Sequence, residues 1–358
     1  MRLHGSEAKT GPRLLVVDDR WTGEHGIGRF STEVVSRLTI PWRPLGGGES
    51  PSAPTDVLNP GRLRLRSTDV VYSPGFNAGI TRGRQLLNIH DLIHLQIESE
   101  KSFAKSAYYA TVVRWAVRHA GVVMTDSQAS ARAIVRWVRA PEVQVVVVGC
   151  GRSPSFVPVG ESTTFDHPTF IYVGNLKPHK NVDVLFDAIA LRPDYRLLIV
   201  TGHPEKARSK ASERGVGHQV SVLSGVTDDG LATMYRGASG ALQPSLLEGF
   251  GLPALEAMSC GTRVAFWKGC ESVEEICDGT GVSVESATAA DEWALALDEL
   301  VVLDSEGALT MPMTWSKKYD WDTVFATVMA VLEAALIESS TKTHRGRGPK
   351  RGVRRWHR

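Results

Sequence analysis

The stretch PSLLEGFGLPALEAMSCG, residues 244–261, decides how the rest of the chain is read. The apolar GALQP at 240–244 has the length of a short buried strand, and Gly249 and Gly251 mark a turn after it. Pro253 suits the first turn of a helix, because the N–H it lacks would be unpaired there anyway, and Gly261 suits that helix's stop. Strand, turn and helix in this order place unpaired backbone N–H groups, with the positive end of a helix dipole, at the carboxyl edge of a parallel sheet. Such an edge binds phosphate. Glu248 lies in the turn and Glu256 about one helical turn after Pro253. Both carboxylates can then face a crevice and accept hydrogen bonds from hydroxyls, which a sugar or ribose offers in pairs. The plainer alternative leaves Glu256 complementing the helix dipole and Glu248 as a solvated loop charge.

Working outward, short β-branched runs alternate with longer amphipathic stretches, the pattern of parallel sheets covered by helices. Strands are predicted at 14–18, 70–73, 86–89, 122–126 and 143–148, then at 170–174, 196–201, 220–223, 240–244, 263–266 and 282–284. Helical periodicity covers 30–38, 106–119, 181–190, 228–238, 290–302 and 324–337, and residues 41–62, rich in proline and glycine, read as a loop. The two series break at GRSPSFVPVGESTTFDHP, 151–168. The expectation is an α/β chain of two doubly wound domains, 1–160 and 161–340, facing a central cleft. A basic tail, 341–358, follows and should not fold.

The composition, 42% hydrophobic and 22% charged, excludes disordered, collagen-like and coiled-coil classes. Eight basic and no acidic residues lie in the last eighteen positions, which leaves 33 basic against 39 acidic elsewhere. That tail could meet an anionic lipid surface or simply aid solubility, and no nucleic-acid fold accompanies it. Cys150, Cys260, Cys270 and Cys277 form no C-x-x-C pair, so neither a disulfide scaffold nor structural zinc is expected. The opening MRLHGSEAKTGPR lacks a secretory core, and no stretch approaches the ~20 apolar residues of a membrane span. A cytoplasmic protein with at most peripheral membrane contact follows.

Four further segments carry candidate chemistry. FIYVGNLKPHKN, 170–181, is a strand, a turn at Gly174 and a helix start; Lys180 there can neutralise phosphate charge as a bond to phosphate breaks, unless it is only an exposed lysine. In WTGEHGIGRFSTEVV, 21–35, Gly26 and Gly28 let backbone come close to a ligand or form an ordinary tight turn. LLNIHDLIHL, 86–95, carries His90 to a sheet edge, with Asp91 orienting the loop. Ser127 and Asp228 suit helix caps. The helix around 101–120 combines Lys101, Lys105, Arg114 and Arg118 with aromatics, either as a core helix with a solvated basic face or as a dock for anionic lipid.

From about residue 12 to about 335 the chain resembles the retaining glycosyltransferase family 4, whose two-domain architecture is called GT-B. Its E-x7-E pattern stands here as Glu248-Gly-Phe-Gly-Leu-Pro-Ala-Leu-Glu256. The resemblance implies that Glu248 contacts hydroxyls of the transferred sugar and that Glu256 holds the nucleotide ribose. Amides at Gly249, Phe250, Gly251 and Leu252 would approach the pyrophosphate, and backbone at Gly225 and Val226 would meet the base. His90 is carried over as a sugar contact, and GIGRF resembles the donor-facing loop of mannosyltransferases. Family members usually place an arginine just after the strand glycine or beside the lysine; here Asn175 and His179 stand there, and Lys177 is the substitute cation. A point charge does not reproduce a bidentate guanidinium.

The resemblance therefore implies a retaining transfer of a hexose, mannose by preference, from GDP-mannose or a UDP-sugar to a glycan or lipid-linked acceptor. No resident cofactor is expected, and no D-x-D loop suggests a metal. The competing readings are a nucleotide-sugar epimerase of the same fold and a sugar-nucleotide-binding scaffold without turnover.

Overall fold

The computed structural model describes residues 15–23, 26–48, 50–97 and 101–345. The opening segment, Glu24 and His25 of the first glycine loop, and the tail from 346 lie outside the described residues.

Among the described residues the strands form three parallel sheets, of four, two and six strands. In the first half β1 (Leu15–Val17), β2 (Trp42–Pro44), β3 (Val70–Ser73) and β4 (Arg84–Leu87) pair in the order β2-β1-β3-β4. β5 (Val122–Thr125) and β6 (Gln144–Val147) form a parallel pair that meets β4's end through an Asn88–Met124 bridge. In the second half β7 (Thr169–Val173), β8 (Arg196–Val200), β9 (Val220–Leu223), β10 (Gly240–Gln243), β11 (Val264–Trp267) and β12 (Val282–Val284) run in the order β12-β11-β10-β7-β8-β9. Strands such as VVYS, VVMT and GALQ are buried at every position, because helices cover both faces of the sheets. GT-B is the resulting fold.

Sheet order decides where ligands can go. From β7 the chain winds outward through β8 and β9, and from β10 the other way through β11 and β12. The loops after β7 and β10 therefore diverge at a switch point, and β1 and β3 make the equivalent point in the first half.

Three expectations are corrected. The 41–62 stretch holds β2, a 3₁₀ turn at Pro54–Leu58 and a helical turn at Pro60–Leu63. These short pieces are set by backbone pairing to β1 and by the Asn59 side chain accepting from Gly61 N, so they show no side-chain period. Thr227, not Asp228, caps the helix Asp228–Gly237, its side chain accepting from Gly230 N. Helix Trp321–Arg345, placed by sequence with the second domain, packs on helix Gly26–Ser36 and β3 of the first half. Phe30 meets Trp321 edge to face there, and Arg84 reaches Glu338 at 2.9 Å. Apolar burial against the first sheet wins because the helix's inner face, Val324, Val328 and Leu332, is fully buried.

All four cysteines are free and buried. Ser127 caps helix Gln128–Val138 as expected. On the basic helix, Arg114 lies over the Trp137 ring and Arg118 donates to Val138 O, so both cations serve the fold. Among the described residues no helix is long and apolar enough to cross a membrane.

Candidate active site

A cavity of about 600 Å³ lies between the halves, where the loops after β7 and β10 face those after β4 and β5. Its wall includes Gly26, His90, Lys177, Lys180, Glu248, Gly249, Phe250, Gly251 and Leu252 from the expected set. Gly28, Gly174, Val226 and Glu256 do not line it.

Glu248 and Lys180 form its centre. Lys180 Nζ donates to both carboxylate oxygens of Glu248, at 2.6 and 2.8 Å. Gln243 Nε2 and Ser245 Oγ also donate to Oε1, at 2.7 and 2.6 Å. Oε1 is saturated; Oε2 accepts from Lys180 and keeps acceptor capacity for a hydroxyl. Burial pushes this carboxyl up, but Lys180 and Ser245 more than offset it and hold it below the usual carboxylate range. Sequence reasoning assigned Glu248 to sugar and Lys180 to diphosphate; in the structure each is the other's partner.

The turn between them and the helix Leu252–Ser259 is built for close approach. Gly251 starts the helix at φ 113°, a left-handed conformation that disfavours any side chain. No side chain caps this helix, and its start faces the cavity. Gly249 touches the first half: its carbonyl accepts from Ser127 Oγ at 2.6 Å and Ser130 Oγ at 2.9 Å. A Cβ there would stand 2.8 Å from Asp91 Cβ and 3.2 Å from His90 O. Ser130 was missed by sequence reasoning, although its place in the S-Q-A-S turn beside Ser127 was the available signal.

His90 has both ring nitrogens on acceptors, Nδ1 on Asp126 Oδ2 at 2.5 Å and Nε2 on Pro74 O at 2.9 Å. Burial opposes its charged form, yet Asp126 and the Pro74 carbonyl raise its pKa. The Asp126 carboxylate and the Pro74 carbonyl thus favour the protonated ring and fix its orientation at the cavity wall. Asp126, absent from the expected set, lies at the end of β5 beside Ser127 and lines the cavity. Asp91 Oδ1 accepts from Ile93 N, orienting its loop as expected.

The other expected residues lie around this centre. Glu256 is buried on the Leu252–Ser259 helix and accepts from Arg29 Nη1 at 3.3 Å. Burial pushes its pKa up to about 8, against the pull of Arg29. Gly174, at the end of β7, adopts φ 152° beside the Tyr172 hydroxyl. Gly28 is buried, and a Cβ there would meet Gly23 O at 2.3 Å. Val226 packs against the core two residues before the Asp228–Gly237 helix. Asn175 and His179 line the cavity where an arginine was missed. Among the described residues no group of three or more His, Cys, Asp or Glu is arranged to hold a metal ion.

Residues 161–309 match the family of glycosyl transferases group 1. The chain is 29% identical over 199 residues to a D-inositol 3-phosphate glycosyltransferase of Mycobacteroides abscessus, covering 53% of this chain and 43% of that one. A namesake from Mycobacterium sp. (strain KMS) is 34% identical over 148 residues, 39% of this chain and 33% of that one. The chain thus spans less than half the length of these curated relatives. Among solved structures, Anabaena Alr3699/HepE in complex with UDP-glucose superposes with a TM-score of 0.66 at 17% identity, over 90% of this chain and 99% of that one. WaaG, a glycosyltransferase involved in lipopolysaccharide biosynthesis, gives 0.57 at 18% identity over 90% and 99%. Both likenesses are of fold.

Proposed function

We propose that this chain is a metal-independent retaining glycosyltransferase that moves a hexose, mannose by preference, from GDP-mannose or a UDP-sugar to a hydroxyl acceptor. The observation that carries this reading is the Lys180–Glu248 pair beside an uncapped helix start, at the switch point of a parallel sheet. In the reaction the acceptor hydroxyl attacks the face from which the nucleoside diphosphate departs, and the leaving phosphate oxygen takes the acceptor's proton. The protein positions and stabilises charge. Lys180 shifts from Glu248 toward the diphosphate as negative charge grows there, with Lys177 beside it. Oε2 of Glu248 then accepts a sugar hydroxyl, and His90, steadied by Asp126, faces the same space. Glu256 holds the ribose.

The names of the relatives support a hydroxyl acceptor bearing phosphate as well as the glycan or lipid-linked acceptors of the family, and contact with a membrane is peripheral. The test is a thermal-shift screen with GDP, UDP, ADP and their sugars, followed by transfer assays. The true donor class raises the melting temperature, and Glu248→Ala or Lys180→Ala cuts transfer by at least ~100-fold. Unchanged rates in both variants reject the assignment. Donor conversion without acceptor would instead mark an epimerase, and donor binding without product a scaffold.

A further inference from the structure

The cavity takes in the place assigned to the diphosphate but not the place assigned to the ribose. Gly26, Ile27, Leu252 and Pro253 line it, whereas Glu256, one helical turn further along, does not. The partner of Glu256 is Arg29, one turn beyond Gly26 on the first-half helix Gly26–Ser36. Its guanidinium spans two helices of the second half: Nη1 lies 3.3 Å from Glu256 Oε1 and Nη2 2.8 Å from Asp228 Oδ1. Arg29 is the one side chain hydrogen-bonded to Glu256 among the described residues. Beside it the two helices are in ordinary contact, a Cβ on Gly26 standing 3.5 Å from Leu252 Cδ1.

We propose that Arg29 is an interdomain latch over the nucleotide half of the donor site: it ties the halves together by occupying Glu256, and a nucleoside diphosphate must displace it to reach that carboxylate. The proposal rests on the reading that Glu256 receives ribose hydroxyls. Arg29 acts here as a positioning residue, through Glu256 and Asp228, and touches no reacting atom. The state in which Arg29 has left Glu256 is the binding-competent one, so the latch lowers nucleotide affinity by the fraction of time it is engaged. Ribose and guanidinium compete for one buried carboxylate, and nucleotide binding is thereby tied to movement of the halves.

The test is calorimetric titration of UDP and GDP into the full chain, comparing wild type with Arg29→Gln and Asp228→Asn. The nucleotide that binds should bind Arg29→Gln about tenfold more tightly, and Asp228→Asn should shift affinity in the same direction by less. X-ray scattering in solution should show a larger radius of gyration for ligand-free Arg29→Gln than for wild type, a change that lost local packing would not produce. Unchanged or weaker binding by Arg29→Gln, with its melting transition intact, overturns the latch; if that variant does not fold, the same result with Asp228→Asn does so. Adding Glu256→Gln in the Arg29→Gln background separates the two ideas. Affinity should there fall about tenfold. No fall removes the ribose assignment and with it the competition for Glu256, whereas a fall here beside an unaltered Arg29→Gln affinity overturns the latch alone. Failure of every protein to bind either nucleotide overturns both.

Discussion

Replacing Lys180 by Met tests the centre of the site in a way that stability alone can read. Its ammonium is largely buried against Glu248, with side-chain exposures of 16% and 9%. Both groups are therefore well removed from water, and deleting one leaves a buried charge without its counter-ion. Breaking such a pair costs about 3–5 kcal/mol. Gln243 and Ser245 still donate to Oε1 after the change, which places the loss at the lower end, ~3 kcal/mol. At roughly 2–4 °C per kcal/mol for a unit of this size, the second half should melt about 6–12 °C lower. The pH dependence follows from the same pair. Glu248 titrates below its ordinary value in the fold, so its stabilisation is present above the usual carboxylate pKa and is lost as pH falls through the depressed one. In Lys180→Met that acid-side loss should disappear. Urea unfolding at neutral and acid pH measures both effects. The double variant Lys180→Met/Glu248→Gln removes the stranded charge and should recover most of the stability while leaving transfer abolished. A Lys180→Met protein within ~1 kcal/mol of wild type, or a double variant no more stable than the single, would refute the buried-pair account.

Two other expectations concern the turn and its helix. Because Glu256 is pushed up to about 8 from 4.5, the folded chain holds its proton more tightly than the unfolded one. Its contribution is complete below about 4.5 and is lost as pH rises toward 8, so Glu256→Gln should flatten the stability profile across that window in urea titrations. Parallel profiles would contradict this. Gly249→Ala should cost about 1–3 kcal/mol, since its Cβ would press 2.8 Å from Asp91 Cβ and toward the His90 carbonyl; an unaltered melting curve would show that the turn can yield.

Much of this architecture was legible because parallel strands buried on both faces leave continuous apolar runs, as at 70–73 and 240–243. The turn at 248–251 was legible because its glycines answer to backbone geometry, and Ser127 because a cap has a fixed place before its helix. What escaped notice lacks a local signature. β2 exists through its pairing with β1, and helices Pro204–Glu213 and Glu271–Cys277 are too polar or too short to show a strong period. Asp126 and Arg29 depend on meetings between residues far apart in the chain, 36 positions for His90–Asp126 and 227 for Arg29–Glu256. The Lys180–Glu248 bond was missed for a different reason: each residue was matched to an expected ligand and not to the other.

The return of helix Trp321–Arg345 to the first sheet means that the polypeptide crosses between the halves twice, once through 151–168 and again ahead of Trp321. A body held by one strap can swivel in any direction, whereas two straps define an axle and suppress twisting about other lines. Relative motion of the lobes should thereby be channelled into a rocking that widens or narrows the mouth of the groove, with the loops bearing His90 and Glu248 on either side of it.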